Sequence, residues 1–247
     1  MLAQVTRIFD YIGYVFGSTD LHGIHSPFVY NLASQVLYHK LEKRFESVEF
    51  QRTQMLKSKG LIFNQSLAEF TNTYTLPAKH AFALSRLVAH LNIQTITEYG
   101  KTTGIETNYV LNNPLLESKI PIDYRYVFSG ENHVKVKTNE QWLKNYKDET
   151  KNIDWSQPFP IQNDWDLHIL YLSERADEIY EIWDSIKSKL HNQSIVILTN
   201  IRYSDDHYLK WKQLTHDTMV RVDIDLFRMG FLFFRKEQPK ESFLLRY

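Results

Sequence analysis

The chain has 247 residues, of which 43% are hydrophobic and 14% aromatic, which is ample material for a folded core and excludes a disordered protein. It carries 29 basic and 29 acidic residues, so composition predicts no overall attraction to nucleic acid or to an acidic membrane. The absence of cysteine excludes disulfides, thiolate metal sites and a cysteine nucleophile, and it fits a reducing compartment. No stretch reaches the roughly 20 apolar residues that cross a bilayer, and residues 1–17 lack a secretory pattern, so we expect a cytoplasmic protein without a transmembrane segment.

The first predicted element is an amphipathic helix over residues 2–17. Its apolar residues recur three or four positions apart, and Gly17 and Ser18 end the pattern. We expect the apolar stripe to pack on the body of the domain. Docking to a partner or a membrane surface is the alternative, although a membrane helix would normally carry more basic residues than the single Arg7. The stripe consists of Leu2, Val5, Ile8, Phe9, Ile12, Val15 and Phe16.

The next segment, His22–Phe28, reads His-Gly-Ile-His-Ser-Pro-Phe. Ser26 is placed to cap a helix whose first position is Pro27. His22 and His25 resemble zinc ligands, but no Asp, Glu or Cys stands at a suitable spacing. We therefore expect capping and packing, with a lid over a substrate pocket as the alternative.

Helical spacing continues through the rest of the first 92 residues. Helices are predicted at about 27–43, at 47–59 and from Pro77 to about 90, with a polar stretch at 64–76. The period changes after Asn92. We therefore divide the chain into an N-terminal helical extension, residues 1–92, and an α/β core, residues 93–247, which form one structural unit.

From Gln94 onwards, short runs of β-forming residues alternate with helical spacing, which implies a parallel, doubly wound Rossmann-like sheet. Near the end, residues 219–227 and 231–235 flank Arg228-Met229-Gly230, where we expect Gly230 to supply the positive φ of a tight hairpin turn. The sequence thus predicts a mostly parallel sheet with an antiparallel C-terminal hairpin. The other predicted strands are 95–99, 124–128, 167–172 and 194–198, and the clearest helix between them is 176–190.

The strongest candidate for a ligand site follows the first parallel strand. Glu98–Gly104 lies between a predicted strand and a predicted helix, a placement typical of a cofactor cradle. Gly100 permits a sharp turn near a ligand, Gly104 permits close packing of the helix, and the helix start offers unpaired N–H groups. An ordinary turn is the alternative. The candidate contact residues here are Glu98, Tyr99, Gly100, Lys101, Thr102 and Gly104.

Three motifs together resemble a family of bacterial class I methyltransferase-like proteins. They are the opening His22–Phe28, the Glu-x-Gly loop, and an ending close to Asp-Leu-Phe-x-x-Gly-x-x-Phe-Phe-Arg at residues 225–235. The resemblance covers most of the chain, and the two terminal motifs are more specific than the loop. It implies S-adenosylmethionine (SAM) as cofactor and a seven-stranded sheet whose last strand is antiparallel.

The acidic positions of that family are changed in this chain. After the second strand the family has an acid that accepts both ribose hydroxyls of SAM; here Ser129 stands there, and Glu131 follows two positions later. A hydrogen bond to a charged group contributes about 1.5–3 kcal/mol, so we expect roughly ten- to a hundredfold weaker binding unless Glu131 substitutes. Leu172 replaces the acid after the fourth strand, and Thr199-Asn200 replaces the paired acids after the fifth. In related O-methyltransferases these acids hold a divalent metal, so the resemblance implies no catalytic metal here.

Two functions remain open. One is a SAM-dependent methyltransferase that works by proximity on an unknown acceptor, with no catalytic residue assigned. The other is a non-catalytic descendant that binds a small molecule or a protein. A homodimer through the antiparallel edge hairpin is possible on this sequence, and no stripe of basic and aromatic residues predicts a nucleic-acid partner. Four residues are expected on the solvated rim of the cleft, Glu174, Arg175, Arg202 and Tyr203, while Asp205 and Asp206 are expected in the first turn of a helix that contains Trp211.

Overall fold

The computed structural model describes residues 2–38, 43–62, 65–100, 102–113, 122–127, 151–154, 166–170 and 177–247. The helices in these ranges are α1 (Leu2–Gly17), α2 (Pro27–Leu32), α3 (Glu46–Lys57), α4 (Leu67–Tyr74), α5 (Ala78–His90), α6 (Ile105–Leu111), α7 (Glu178–Lys187) and α8 (Asp205–Thr215). The strands are β1 (Leu61–Ile62), β2 (Gln65–Ser66), β3 (Thr95–Tyr99), β4 (Ile122–Val127), β5 (Lys151–Asp154), β6 (Leu167–Leu170), β7 (Ile195–Thr199), β8 (Val222–Asp225), β9 (Met229–Phe233) and β10 (Glu241–Leu244). None of these helices is long and apolar enough to cross a membrane.

The main sheet has eight strands in the order β10-β8-β9-β7-β6-β3-β4-β5. β3 is central and pairs in parallel with β4 on one side and β6 on the other. β9 runs antiparallel between β7 and β8, which confirms the mostly parallel sheet with an antiparallel C-terminal hairpin. The seven strands that the family resemblance implied are β3 to β9. β10 is an eighth strand that the sequence did not predict, and it extends the edge parallel to β8.

The sheet is covered by helices on both faces because its central strands are apolar on both sides. Every residue of β6 and β7 is buried. Ile195 and Ile197 belong to the core cluster that contains the α5 and α6 side chains, whereas Val196 and Leu198 belong to the cluster that contains those of α7 and α8. This alternation is what a strand with a two-residue side-chain period produces when both faces are covered.

The hairpin forms where it was predicted, but Gly230 does not make its turn. Gly230 lies inside β9, and the residue with positive φ in the connection is Phe227, at 67°. A Cβ at Gly230 would lie 2.6 Å from ring atoms of Trp211 on α8. The glycine is therefore required for close packing of a helix on the sheet, and the turn is made by a bulky residue in a conformation that costs about 1–3 kcal/mol.

Helix α1 forms as predicted, but its apolar stripe does not face the body. The described members of the stripe are mostly exposed, with Phe9 at 67% and Phe16 at 85%. The body-facing residue is Tyr14, which is 3% exposed and packs its ring against Phe227. The Tyr14 hydroxyl bonds to the carbonyl of Leu245, so α1 is anchored to the C-terminal tail. The expectation of a packed stripe was wrong because two aromatic residues outside the stripe, Tyr11 and Tyr14, make the contact with Phe227.

The opening motif begins a helix at Pro27, but its Ser26 does not cap that helix. The Ser26 side chain is buried and its hydroxyl has no hydrogen-bond partner. Phe28 instead joins the two terminal motifs, because its ring packs on Phe233 with centroids 5.2 Å apart and lies 4.7 Å from the Arg235 guanidinium carbon. Helix α2 is also shorter than predicted, since it passes into a π-helical stretch, Ala33–Leu37. Short 3₁₀ segments are found at Leu21–Gly23 and Lys43–Phe45.

Candidate functional site

The candidate site lies at the edge of the sheet where the parallel strands end. Ligands of doubly wound sheets bind outside these carboxyl ends, near the point where strand order reverses. Here the chain crosses to opposite sides of β3, because β4 and β6 both pair with it. The loop Glu98–Gly104 follows β3, and Asn200 follows β7 at the same edge.

The described glycines of the loop have the conformation that a cradle requires. Gly100 has φ of 96° and Gly104 has φ of 78°, a region that residues with a Cβ rarely adopt. Glu98 is fully buried, and its carboxylate accepts a hydrogen bond from Thr107, whose Oγ1 lies 3.2 Å from Oε1 and 3.3 Å from Oε2. The carboxylate thus ties the end of β3 to the helix that follows the loop.

Tyr99 contributes only its backbone to the edge. Its ring is 1% exposed and packs in the cluster beneath α7 and α8. Its hydroxyl lies 3.1 Å from Nδ1 of the buried His168 on β6. The side chain therefore stabilises the core, and a ligand at the loop would meet the main chain at this position.

Residues 75–77, between α4 and α5, cover the loop, and we call this segment the roof. The sequence did not predict this contact. The hydroxyls of Thr75 and Thr103 are 2.8 Å apart, and the Leu76 N–H donates to Glu106 Oε1 at 2.6 Å. Beneath the roof, the Gly104 N–H donates to the Thr102 hydroxyl at 3.0 Å. All of these side chains are buried. The described hydroxyls of the loop, those of Thr102 and Thr103, are therefore already paired within the chain.

Glu106, in the first turn of α6, is the buried carboxyl beneath this roof. Full burial raises the pKa of its carboxyl above the usual value of 4.5, and the nearby Arg52 and the Leu76 N–H oppose that rise. Arg52 also bonds to the Leu76 carbonyl and pairs with Glu49 at 2.9 Å. These contacts fix α3 and the roof segment onto the first turn of α6.

At the end of β7, the arrangement of Asn200 does not suit a divalent metal. Asn200 has φ of 51°, and its Nδ2 donates to the Thr73 carbonyl at 3.2 Å. Its Oδ1 faces the Arg228 guanidinium, with Nη1 at 3.5 Å. A cation approaching this oxygen would meet a positive charge, and the neighbouring Thr199 offers no carboxylate. The residues described contain no group of three or more His, Cys, Asp or Glu side chains able to hold a metal.

Arg202 is not the solvated rim residue that we expected. Its side chain is 10% exposed and pairs with Asp225, whose side chain is 8% exposed. It also donates to the Tyr208 hydroxyl at 3.0 Å and stacks on that ring at 4.3 Å. Tyr203, also expected at the rim, packs partly buried against Phe70 and Tyr74 of α4. The sequence could not show the contacts of Arg202 with Asp225 and of Tyr203 with α4, because each joins elements far apart in the chain.

The other predicted residues divide between confirmed positions and positions outside the described ranges. Asp205 and Asp206 occupy the first turn of α8, as expected, and Ser204 caps that helix by accepting from the His207 N–H at 3.4 Å. The structure brings Glu98, Gly100, Thr102 and Gly104 together at one edge. The predicted residues that lie outside the described ranges are Lys101, Ser129, Glu131, Leu172, Glu174 and Arg175.

No protein-family model matches this sequence, and no curated protein matches it. Solved structures do match it. The SAH-bound methyltransferase PaMTH1 of Podospora anserina is 9% identical, with a TM-score of 0.56, and the match covers 86% of this chain and 97% of that one. The fold is that of the class I methyltransferases. The O-methyltransferase of Bacillus cereus in complex with SAH is 10% identical, with a TM-score of 0.51 and coverage of 83% and 97%. The O-methyltransferase TomG of Streptomyces achromogenes in complex with SAM is 10% identical, with a TM-score of 0.52 and coverage of 83% and 94%.

On this methyltransferase fold, β3 is the first strand of the parallel sheet and Glu98–Gly104 is the loop that follows it. β10 extends this sheet by one strand beyond the seven that the family resemblance implied. At such low identity the structural match establishes the fold, while function has to be argued from the site itself.

Proposed function

We propose that this chain is a SAM-dependent methyltransferase-like protein that binds its cofactor weakly at Glu98–Gly104 and has lost the acid- and metal-assisted route of catalysis. The observation that carries this proposal is the pair of left-handed glycines after β3, set in a class I methyltransferase sheet. The changed acids at the end of β7 support the second half of the proposal.

The residues of the loop fit a SAM cradle in their backbone conformation. When bound, SAM supplies an electrophilic methyl group. In this proposal Gly100 and Gly104 keep the loop open to the ligand, and the buried Glu98 holds the loop against α6 through Thr107. We assign Ser129 or Glu131 to the ribose hydroxyls, with the lower affinity that a missing carboxylate predicts.

Without a metal, the protein can still accelerate transfer by holding two reactants together. Well-oriented intramolecular reactions gain about 7–11 kcal/mol from proximity alone. An acceptor that is already a good nucleophile therefore needs no charged side chain or metal beside it to activate it. We propose that any transfer takes place by this route, in the cytoplasm, on an acceptor that is not metal-bound.

A second candidate is a binding module without catalysis, and the roof favours it. Thr75 bonds to Thr103 of the loop and Leu76 bonds to Glu106 of α6, so a ligand at the loop has to displace a contact that the chain makes with itself. Such displacement lowers affinity, because the broken hydrogen bonds must be replaced. In this case the scaffold serves a small-molecule or protein partner.

Thermal unfolding with and without SAM or S-adenosylhomocysteine (SAH) tests the proposal. Ligand at about a hundred times its dissociation constant should stabilise the fold by roughly 2.7 kcal/mol. Gly100→Arg should abolish the shift, because Arg strains the left-handed backbone and fills the cradle. Gly13→Arg is the matched control, since a Cβ at Gly13 has no heavy atom within 4 Å.

The outcomes separate the two candidates. A shift with SAM that Gly100→Arg removes and Gly13→Arg retains supports cofactor binding. No shift at millimolar SAM or SAH contradicts it and favours the binding module. If SAM binds, methyl-labelled SAM incubated with fractionated small molecules should yield labelled product and SAH.

A further inference from the structure

A cavity of about 430 Å³ lies at the same edge of the sheet as the loop, but beside β8 rather than β3. We call it the His80 cavity. It lies between α1, the first turn of α5, the β8–β9 connection and the C-terminal residue. Its volume is within the range of pockets that hold small molecules. The residues of its wall that matter here are Tyr11, His80, Phe227, Arg228 and Tyr247.

His80 presents a buried hydrogen-bond acceptor that the fold does not use. The residue is 6% exposed, and its Nε2 lies 3.3 Å from the Leu226 carbonyl oxygen. Burial, together with the nearby Lys79 and Arg228, lowers the pKa of His80 to about 4, so the ring is neutral at pH 7. Nε2 then carries the proton that it donates to Leu226, and Nδ1 is left as an acceptor without a donor. Such buried, unpaired groups are rare and call for a structural or functional reason.

Phe227 is a second, independent sign at the same cavity. Its backbone has φ of 67°, which bulky residues rarely adopt. Asp225 holds it there by accepting the Phe227 N–H at 2.8 Å, and the ring packs edge-on against Tyr11 with centroids 5.1 Å apart. This geometry makes the Phe227 ring part of the cavity wall. Strained backbone of this kind is concentrated at ligand-binding sites.

The charges around the cavity favour an anion. Lys79 and Arg228 both act on His80, and the Lys79 ammonium lies 3.9 Å from the centre of the Tyr247 ring. Among the side chains of the described wall, Arg202 and Arg228 are basic and the exposed Asp10 is the one acid. The wall therefore offers aromatic rings, an unused hydrogen-bond acceptor and more basic than acidic side chains. A ligand that matches it is flat, donates a hydrogen bond and carries a negative charge.

We propose that the His80 cavity binds a small planar acid that carries a hydroxyl group. The hydroxyl donates to His80 Nδ1, the flat body packs against Phe227, and the carboxylate is attracted by Arg228 and Lys79. This site is separate from the loop after β3, and the proposal holds whether or not SAM binds there.

Calorimetric titration of the full chain with para-hydroxybenzoate, in the absence of SAM, tests the proposal. Wild-type protein should bind this probe saturably, with a dissociation constant below about 1 mM. Benzoate, which lacks the hydroxyl, should bind about tenfold more weakly, because the buried acceptor then stays unpaired.

His80→Gln isolates the hydroxyl contact. The Gln amide still donates to the Leu226 carbonyl but places no acceptor at the position of Nδ1. It should weaken para-hydroxybenzoate about tenfold and leave benzoate unchanged. His90→Gln, at the exposed far end of the same helix, is the matched control and should leave both ligands unchanged.

Three results would overturn the proposal. They are no saturable binding of para-hydroxybenzoate to folded wild-type protein, equal weakening of both ligands by His80→Gln, and an effect of His90→Gln equal to that of His80→Gln. Equal weakening of both ligands would indicate general damage to the fold rather than a lost contact. A missing SAM shift bears only on the loop and leaves this result intact.

Discussion

Replacing Arg202 by Met tests whether the ion pair beneath α1 stabilises the methyltransferase sheet. The two side chains of this pair are 10% and 8% exposed, so removing Arg202 leaves the Asp225 carboxylate buried with the Phe227 N–H as its remaining described donor. An uncompensated buried charge of this kind costs about 3–5 kcal/mol. We therefore expect Arg202→Met to lower the free energy of unfolding by about that amount, although Met conserves much of the apolar stem that packs on Tyr208.

Urea denaturation at pH 7 measures this loss, and a second substitution identifies its cause. Asp225→Asn in the Arg202→Met background removes the stranded charge while its oxygen can still accept from Phe227, so it should restore at least about 2 kcal/mol. Lys210→Met, which breaks the exposed pair with Asp177, is the control and should leave the midpoint unchanged. A loss below about 1 kcal/mol for Arg202→Met, as for an exposed pair, would refute the reasoning.

Three further predictions concern other parts of the fold and are tested by urea denaturation. Tyr14→Ala should lower the free energy of unfolding by about 3 kcal/mol, because it removes the buried anchor of α1. Phe16→Ala, at an 85% exposed position, should change it by no more than about 0.5 kcal/mol. Equal losses would contradict the orientation of α1. Gly230→Ala should lower the free energy of unfolding by about 1–3 kcal/mol, because the added Cβ would clash with the Trp211 ring. Adding Trp211→Phe should recover part of this loss. No recovery would show that crowding is not the cause. Burial lowers the pKa of His80 from 6.5 to about 4, so the free energy of unfolding should fall by about 3 kcal/mol as the pH drops from 6.5 to 4. His80→Gln should remove that part of the pH dependence. An unchanged pH dependence would contradict a buried neutral ring.

The sheet could be predicted most readily where its strands are apolar. The central strand β7 is an unbroken run of Ile, Val and Leu with Thr at its end, and any β-propensity argument finds it. Lys151–Asp154, the edge strand β5, has one apolar residue and carries no such signal. Helix α4 was predicted only as a polar stretch, since its buried aromatic residues, Phe70 and Tyr74, are just two positions one turn apart.

The parts of the site that could be predicted are those formed by residues close together in the sequence. The spacing of Gly100 and Gly104 after a strand is a local pattern, and the structure gives both glycines the expected positive φ. The roof over them depends on pairs such as Thr75 with Thr103, which are 28 residues apart in sequence. Two threonines at that separation have no period or motif that joins them, so a single sequence does not reveal the contact.

The two terminal motifs that made the family resemblance specific have structural roles here, and this affects how the two functions should be weighed. Phe28 of the opening motif packs on Phe233 and Arg235 of the ending, which ties the helical extension to the hairpin. Asp225 of the same ending pairs with Arg202 and holds the strained Phe227. None of these contacts touches the loop after β3, so a chain can keep both motifs for the sake of its fold while its acids change. The motifs are therefore evidence of the scaffold, and only ligand binding at the loop can distinguish a methyltransferase from a binding module.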